Sequence, residues 1–378
     1  MMDAWPKVAR AAVQTADRTI EIQEVPIPER LGPGEALLEV EANGLCGTDV
    51  EQFNGRLTKS GWACYPQIPG HEAFGRLGWV GAEAAATWGM QAGERVSVES
   101  TVPCWVCSNC RTGKEKFCQR ERFVYGYVPL TQGCGLWGGL SEYMVLRAGT
   151  VLHRVPDSLP TAVAAFHNPL AAGFEWAVRI GGVGIGSRVV IFGPGQRGLG
   201  AVLASRQAGA GEIIVTGLKS DEHKLALCRR FGATQTLVVD GVDVGEAIPD
   251  LLGGKLADVV LDLTPGATQP VVDALTCVAP LGTVVLAGIK DMRPVEGFVT
   301  DTLVLKGVTV RGALPPSFWS SEQSLATLEA DAERIAQIPT SLVPLQEVER
   351  GIRMLGGELP GDKPIHVAVV AAGELQTG

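Results

Sequence analysis

Arg188-Val189-Val190-Ile191-Phe192-Gly193-Pro194-Gly195-Gln196-Arg197-Gly198 is a short apolar run that enters a G-x-G-x-x-G turn. A helix-length stretch follows, to about Ala208. Glycines at this spacing allow a tight turn and the close approach of a dinucleotide pyrophosphate to a helix N-terminus. Gly193, Gly195, Gln196, Arg197 and Gly198 are therefore candidate cofactor contacts. The surroundings strengthen the motif. Glu212-Ile213-Ile214-Val215-Thr216 is strand-like and 221–231 helix-like, and 236–239, 257–263 and 283–287 give three more strand runs. Strand and helix alternating at this spacing predict βαβ units around a parallel sheet buried on both faces.

The end of the second strand bears on the cofactor's ribose. Sites for NAD place an acid about 20 residues beyond the turn, where it accepts from the ribose hydroxyl. That position here is Gly217, in Thr216-Gly217-Leu218-Lys219. No carboxylate at Gly217 repels a 2′-phosphate, and Lys219 is placed to attract one, although an ordinary solvated lysine reads the same way. Asp221 and Glu222 follow closely.

On either side the texture changes. Up to about residue 160, short β-like runs such as Ala36-Leu37-Leu38-Glu39-Val40 alternate with Gly- and Pro-rich loops, which predicts a mainly antiparallel β domain. Past about 312 the alternation stops. A helical stretch from Ser320 to Ile335 and a strand in Ile365-His366-Val367-Ala368-Val369-Val370 are too little for a domain, so this tail is expected to complete the first one. The expected division is 1–165 with 313–378, and 166–312.

Composition narrows the function. The 378 residues are 46% hydrophobic and 19% charged, enough apolar material for sizeable cores. A net charge of −9 without a Lys/Arg block argues against nucleic acid or anionic membrane as partner. No run of about 18 uncharged apolar residues predicts a membrane span. The start Met1-Met2-Asp3-Ala4-Trp5 lacks the pattern of a signal peptide, and the clustered cysteines suit metal better than disulfides. A reducing, cytoplasmic setting is expected.

Four of the nine cysteines form C-x2-C-x2-C-x7-C: Cys104, Cys107, Cys110 and Cys118, in a lobe of about 100–120. Four thiolates in one loop can close a tetrahedron on zinc and leave no position for water, which predicts a structural site. By ligand type alone, an iron–sulfur cluster is the alternative. A second set lies in Gly44-Leu45-Cys46-Gly47-Thr48-Asp49 and Gly70-His71-Glu72. Cys46 and His71 are ligand types suited to zinc, and Glu72 can supply a third ligand. Asp49 is placed to accept from the far nitrogen of His71, and the Thr48 hydroxyl to pass a proton to or from a bound alcohol. Taken singly, Cys46 and His71 read equally well as core residues.

Together these segments resemble the zinc-containing medium-chain alcohol/polyol dehydrogenase family over nearly the whole chain. The resemblance is carried by 44–49, Gly70-His71-Glu72 with Gly75, Gly93-Glu94-Arg95-Val96, the four-cysteine lobe, Gly139-Leu140-Ser141-Glu142-Tyr143 and the glycine-rich turn, in the family's order. It implies an α/β protein in which a GroES-like mainly-β catalytic domain is interrupted by a Rossmann domain, with the active site in the cleft between them. It also implies hydride transfer between an alcohol or carbonyl and a nicotinamide cofactor, in a homodimer or homotetramer. Three departures stand out. Glu51 occupies a proton-relay position where many members carry His. Asn168 precedes Pro169-Leu170 where the family often has Cys, Glu or Asp. A ligand set of Cys46, His71, Glu72 and water then leaves Asn168 to hold the water. Gly217 with Lys219 is similar to NADP-using relatives, so NADP(H) is expected over NAD(H). Two other readings stay open: a member without catalytic zinc that reduces an activated C=C bond, and a non-enzymatic dinucleotide-binding protein.

Substrate-lining loops are expected around 51–66, 120–137 and 313–319. Trp62, Phe123, Tyr125, Trp137, Phe318 and Trp319 fall there, suggesting an apolar or ring-shaped substrate, or else ordinary core aromatics.

Overall fold

The computed structural model describes residues 5–121, 123–313, 315–359, 361 and 364–371. Two compact units emerge: Met1–Phe166 with Thr327–Gly378, and His167–Ala326.

The second unit is built on six parallel strands, Arg188–Phe192, Glu212–Gly217, Gln235–Val238, Ala257–Asp262, Val278–Leu286 and Thr309–Gly312. Numbered in chain order, they lie 3-2-1-4-5-6. Val189, Val190, Ile191, Ile213, Ile214, Val215, Val260 and Leu261 are all buried. Such unbroken apolar runs, rather than alternating ones, mark strands covered on both faces. Helices Gln196–Gln207, Glu222–Phe231, Val244–Leu251 and Gln269–Cys277 make crossovers. The order reverses between the first and fourth strands, the place where open α/β sheets bind ligands beyond their C-terminal ends. This is the Rossmann-like arrangement expected from the alternation. The fifth strand begins earlier than its apolar run suggested, at Val278. The predicted 320–335 helix is two, Phe318–Ala330 and Ala332–Ile335.

In the first unit a mainly antiparallel sheet runs in the order Thr340–Pro344, His366–Val370, Ala36–Leu45, Ala73–Val80, Arg95–Val98, Leu152–Arg154, with Tyr143–Leu146 also pairing with Ala36–Leu45. The strand His366–Val370 pairs antiparallel with Ala36–Leu45, within the β unit. Leu37, Leu38, Val40, Leu77, Val96, Met144, Leu146, Val367 and Val369 form its core. Among the described residues, no helix is long and apolar enough to cross a membrane.

Candidate active site and cofactor site

The Cys46 centre is built where Ala36–Leu45 gives way to the helix Gly47–Phe53. Cys46 is the extended N-cap residue, and its N–H donates to Asp49 Oδ2 at 2.8 Å. The helix start thereby fixes the cysteine backbone and holds Asp49 beside it. Thr48 is half-exposed in the first turn. His71 and Glu72 lie in the bend directly before the neighbouring strand Ala73–Val80. The Glu72 N–H donates to Asn43 Oδ1 at 3.1 Å, and the Gly44 N–H to Glu72 O at 3.3 Å.

His71 faces two ways. Its Nε2 is 3.4 Å from Cys46 Sγ and 4.0 Å from Glu72 Oε1. Its Nδ1 is 3.6 Å from Asp49 Oδ1 and 3.3 Å from the Tyr127 hydroxyl. The ligand atoms of Cys46, Asp49 and His71 all lie within 4.8 Å of one another. Sulfur and nitrogen bound tetrahedrally to one zinc ion sit about 3.6 Å apart, so the Cys46–His71 spacing fits that metal. Glu72 is fully buried, and a Cβ on Gly44 would come 2.7 Å from its Oε2, so the glycine leaves the carboxylate its space.

Glu51 forms a two-pronged ion pair with Arg56, at 3.0 and 2.9 Å. Asn168 lies in the helix His167–Gly173 of the second unit, its Oδ1 buried with no hydrogen-bond partner among the described residues.

The four sulfurs of Cys104, Cys107, Cys110 and Cys118 also lie within 4.8 Å of one another. Cys107–Cys110 is 3.3 Å and Cys104–Cys110 is 3.9 Å, beside a tetrahedral zinc–thiolate edge of about 3.8 Å. Backbone N–H groups of Gln119 and Cys110 bring the Cys107 thiol down to about 6, while burial pushes Cys110 up to about 12. N–H groups of Cys104 and Cys107 point at Cys118 and Cys104 sulfurs, each at 3.4 Å. All nine cysteines are free of disulfides.

In the second unit each glycine of the turn has a distinct physical task. Gly193 has φ +103°, a left-handed backbone. Around Gly195, the N-cap of Gln196–Gln207, a Cβ would meet nothing within 4 Å, so the backbone is open to an approaching ligand. At Gly198 a Cβ would lie 2.0 Å from Gly193 O, so only glycine lets the helix close on the strand. The Arg197 guanidinium stacks 5.2 Å from the Trp176 ring centre.

Gly217 ends the second strand, and Lys219 is exposed just beyond it. The nearby carboxylates are engaged. Asp221 Oδ1 is 2.9 Å from Lys224 Nζ, its Oδ2 accepts from the Leu218 N–H at 3.3 Å, and Asp240 Oδ2 accepts from the Lys219 N–H at 2.7 Å.

Two features escaped the sequence reading. Tyr127, beside His71, carried no motif. Lys290 Nζ lies 2.8 Å from the fully buried Asp262 Oδ2 and 3.2 Å from Thr264 Oγ1, at the C-terminal end of the fourth strand next to Gly193. Of the two readings left open for the loop aromatics, the structure supports the core one for three of them. Phe123, Tyr125 and Trp137 are buried in the β core, where Phe123 meets each of the other two rings edge to face. Trp62, Phe318 and Trp319 are exposed.

Comparison with known proteins agrees with this geometry. Residues 32–157 match the alcohol dehydrogenase GroES-like domain, and 198–330 the zinc-binding dehydrogenase domain. A probable alcohol dehydrogenase of Mycobacterium tuberculosis is 39% identical over 363 residues, 95% of this chain and 97% of that protein. The chain belongs to the zinc-containing medium-chain alcohol dehydrogenase family. An erythritol/L-threitol dehydrogenase of Mycolicibacterium smegmatis is 31% identical to this dehydrogenase over 381 residues, 98% of this chain and all of that one (100%). A putative zinc-binding dehydrogenase from Sinorhizobium meliloti 1021, solved bound to NADP, superposes with a TM-score of 0.83 at 26% identity, covering 97% and 100% of the two chains. An alcohol dehydrogenase from Thermotoga maritima shares the fold, with a TM-score of 0.85 at 24% identity over 97% and 100%. The dehydrogenase is thus an oxidoreductase with a GroES-like β unit and a Rossmann-like unit.

Proposed function

We propose that this oxidoreductase transfers a hydride between a primary or secondary alcohol, or its carbonyl partner, and NADP(H), using a zinc ion held by Cys46, His71 and Glu72. The observation that carries the reading is the 3.4 Å approach of Cys46 Sγ to His71 Nε2 with the buried Glu72 carboxylate alongside. When bound, zinc supplies a Lewis-acid charge that makes a substrate hydroxyl more acidic. Asp49 Oδ1, 3.6 Å from Nδ1 of His71, puts a carboxylate charge on that side of the ring and leaves Nε2 facing Cys46. The Thr48 hydroxyl takes the substrate proton, and Glu51, one turn further along the same helix, receives it in its pair with Arg56. Asn168, whose Oδ1 is buried with no hydrogen-bond partner among the described residues, stands at the position to which the family pattern assigns a water-holding role. When bound, the nicotinamide ring supplies the carbon that exchanges hydride. Cys104, Cys107, Cys110 and Cys118 hold a second, structural zinc.

Three facts support NADP(H): Gly217 offers no carboxylate, Lys219 is exposed beside it, and the Sinorhizobium relative was solved with NADP. Small polyols are the first substrates to test, because a relative of 31% identity is an erythritol/L-threitol dehydrogenase. The dehydrogenase is proposed to be cytoplasmic and to pair with itself through the edge strand Thr309–Gly312, near which Leu281, Val304 and Leu305 are exposed. Light scattering tests the pairing; a monomer at micromolar concentration counts against it.

The deciding experiment is turnover of a panel of diols, tetritols and simple alcohols with both cofactors, before and after metal removal. Activity that vanishes on chelation and returns with zinc supports the reading. Full activity in metal-free protein overturns it.

A further inference from the structure

We infer that Tyr127 is a positioning residue for the His71 imidazole, sharing its Nδ1 edge with Asp49. The inference rests on the zinc reading above.

Two contacts place the phenol there. Its hydroxyl is 3.3 Å from His71 Nδ1. The two rings also touch, with centroids 5.4 Å apart and planes inclined at 36°. Asp49 Oδ1 approaches the same nitrogen at 3.6 Å. An imidazole that gives Nε2 to a metal carries its proton on Nδ1, and that proton needs an acceptor. The phenol oxygen and the carboxylate both offer one.

The backbone shows that the arrangement is built. Gly126 has φ +83°, and a Cβ on it would come 2.7 Å from Gly70 O. The residues directly before Tyr127 and directly before His71 are therefore in backbone contact, which sets the two rings against each other. Gly126 O also accepts from the buried Gln52 Nε2 at 3.0 Å, and the Gly126 N–H donates to Trp137 O at 2.7 Å. Gln52 lies on the same helix as Asp49. One helix thus holds both groups that face Nδ1: the carboxylate directly, the phenol through Gly126.

The two partners differ in chemistry. An anionic acceptor draws the Nδ1 proton strongly and makes the imidazole a stronger donor to metal. A neutral phenol holds the ring without adding charge, and its ring face limits rotation of the imidazole. Tyr127 accordingly acts on how firmly His71 keeps metal.

The test is zinc release from the intact protein into a coloured chelator, followed over time for wild type, Tyr127→Phe, Asp49→Asn and the double variant, with thermal melts and steady-state kinetics beside it. Phenylalanine keeps the ring and removes only the hydroxyl. The expected wild type holds two zinc ions that leave in two phases. In Tyr127→Phe the faster phase quickens by about tenfold, the lower end of the usual effect for such partners. The slower, four-cysteine phase and the melting temperature stay unchanged, and kcat falls while KM for cofactor does not. The Asp49 and Tyr127 effects on release combine non-additively, as expected for groups serving one nitrogen. A Tyr127→Phe protein that releases zinc like wild type overturns the inference, as does one in which both phases and the melting temperature shift together. A wild type with a single zinc overturns the zinc reading itself, and the inference with it.

Discussion

A Cβ placed on Gly217 would lie 2.9 Å from Cγ of Pro194. The end of the second parallel strand and the second residue of the glycine-rich turn are fitted to each other. No side chain enters position 217 unless Pro194 moves. The ribose-binding acid of an NAD enzyme is thus absent for a packing reason as well as a chemical one.

That fit makes the proposed cofactor selectivity testable. Gly217→Asp alone is expected to lower kcat/KM with both cofactors, since overpacking costs about 1–3 kcal/mol. Combined with Pro194→Ala, the same change is expected to recover activity with NAD in preference to NADP. Lys219→Ala is expected to lose roughly ten- to a hundredfold in NADP preference, the worth of one charge-assisted contact. An unchanged kcat/KM ratio in Lys219→Ala removes that lysine from the phosphate site.

The two proposed metal centres are expected to respond differently to loss of a thiol. Cys46→Ala is expected to drop the zinc count from two to one and abolish turnover with little change in melting temperature. Cys107→Ala is expected to lower the melting temperature sharply, because a closed four-thiolate site contributes folding energy. Elemental analysis with thermal melts checks both; equal loss of fold in the two variants contradicts the assignment.

Gly44→Ala tests the space reserved for Glu72. The added methyl would sit 2.7 Å from Glu72 Oε2, deep in the sheet. It is expected to weaken zinc retention at the Cys46 centre by about tenfold while leaving the four-cysteine zinc in place. Chelator competition on the purified variant gives the answer.

Acid stability has an identifiable contributor in Glu99. Burial would raise its pKa, but the hydrogen bond from His153 at 3.1 Å and the pairing with Lys116 bring it below the ordinary value. A carboxylate whose pKa falls on folding stabilises the protein above its unfolded value of about 4.3, and that contribution is lost as pH drops through the folded value. Glu99→Gln is expected to destabilise by about 1–3 kcal/mol at pH 7. Melts at falling pH should show the gap to wild type closing below about pH 4.

How much of this was readable beforehand depended on range along the chain. The Gly193–Gly198 turn and the four-cysteine lobe are local, their chemistry written in spacings of two to seven residues. Apolar runs such as Val189–Ile191 announced a two-sided sheet for the same reason. Tyr127 was hidden because its meaning comes from a backbone contact between Gly126 and Gly70, far apart in sequence. Lys290 and Asp262 meet across two adjacent strand ends, which no periodicity reveals. The loop aromatics left two readings open because a large ring suits a pocket and a core equally well; Phe123, Tyr125 and Trp137 sit in the core.

The pairing of His366–Val370 with Ala36–Leu45 has a consequence for biosynthesis. Val367 lies opposite Leu45 and Ala368 opposite Gly44, so the strand that leads into Cys46 has an open edge until the late residues arrive. The four-cysteine lobe needs only a short stretch of nascent chain, all of it made within the first third of translation. If both proposed centres take metal, they are expected to mature at different times: the lobe while the ribosome is still at work, and the Cys46 centre once residues 366–370 have closed the edge of its strand.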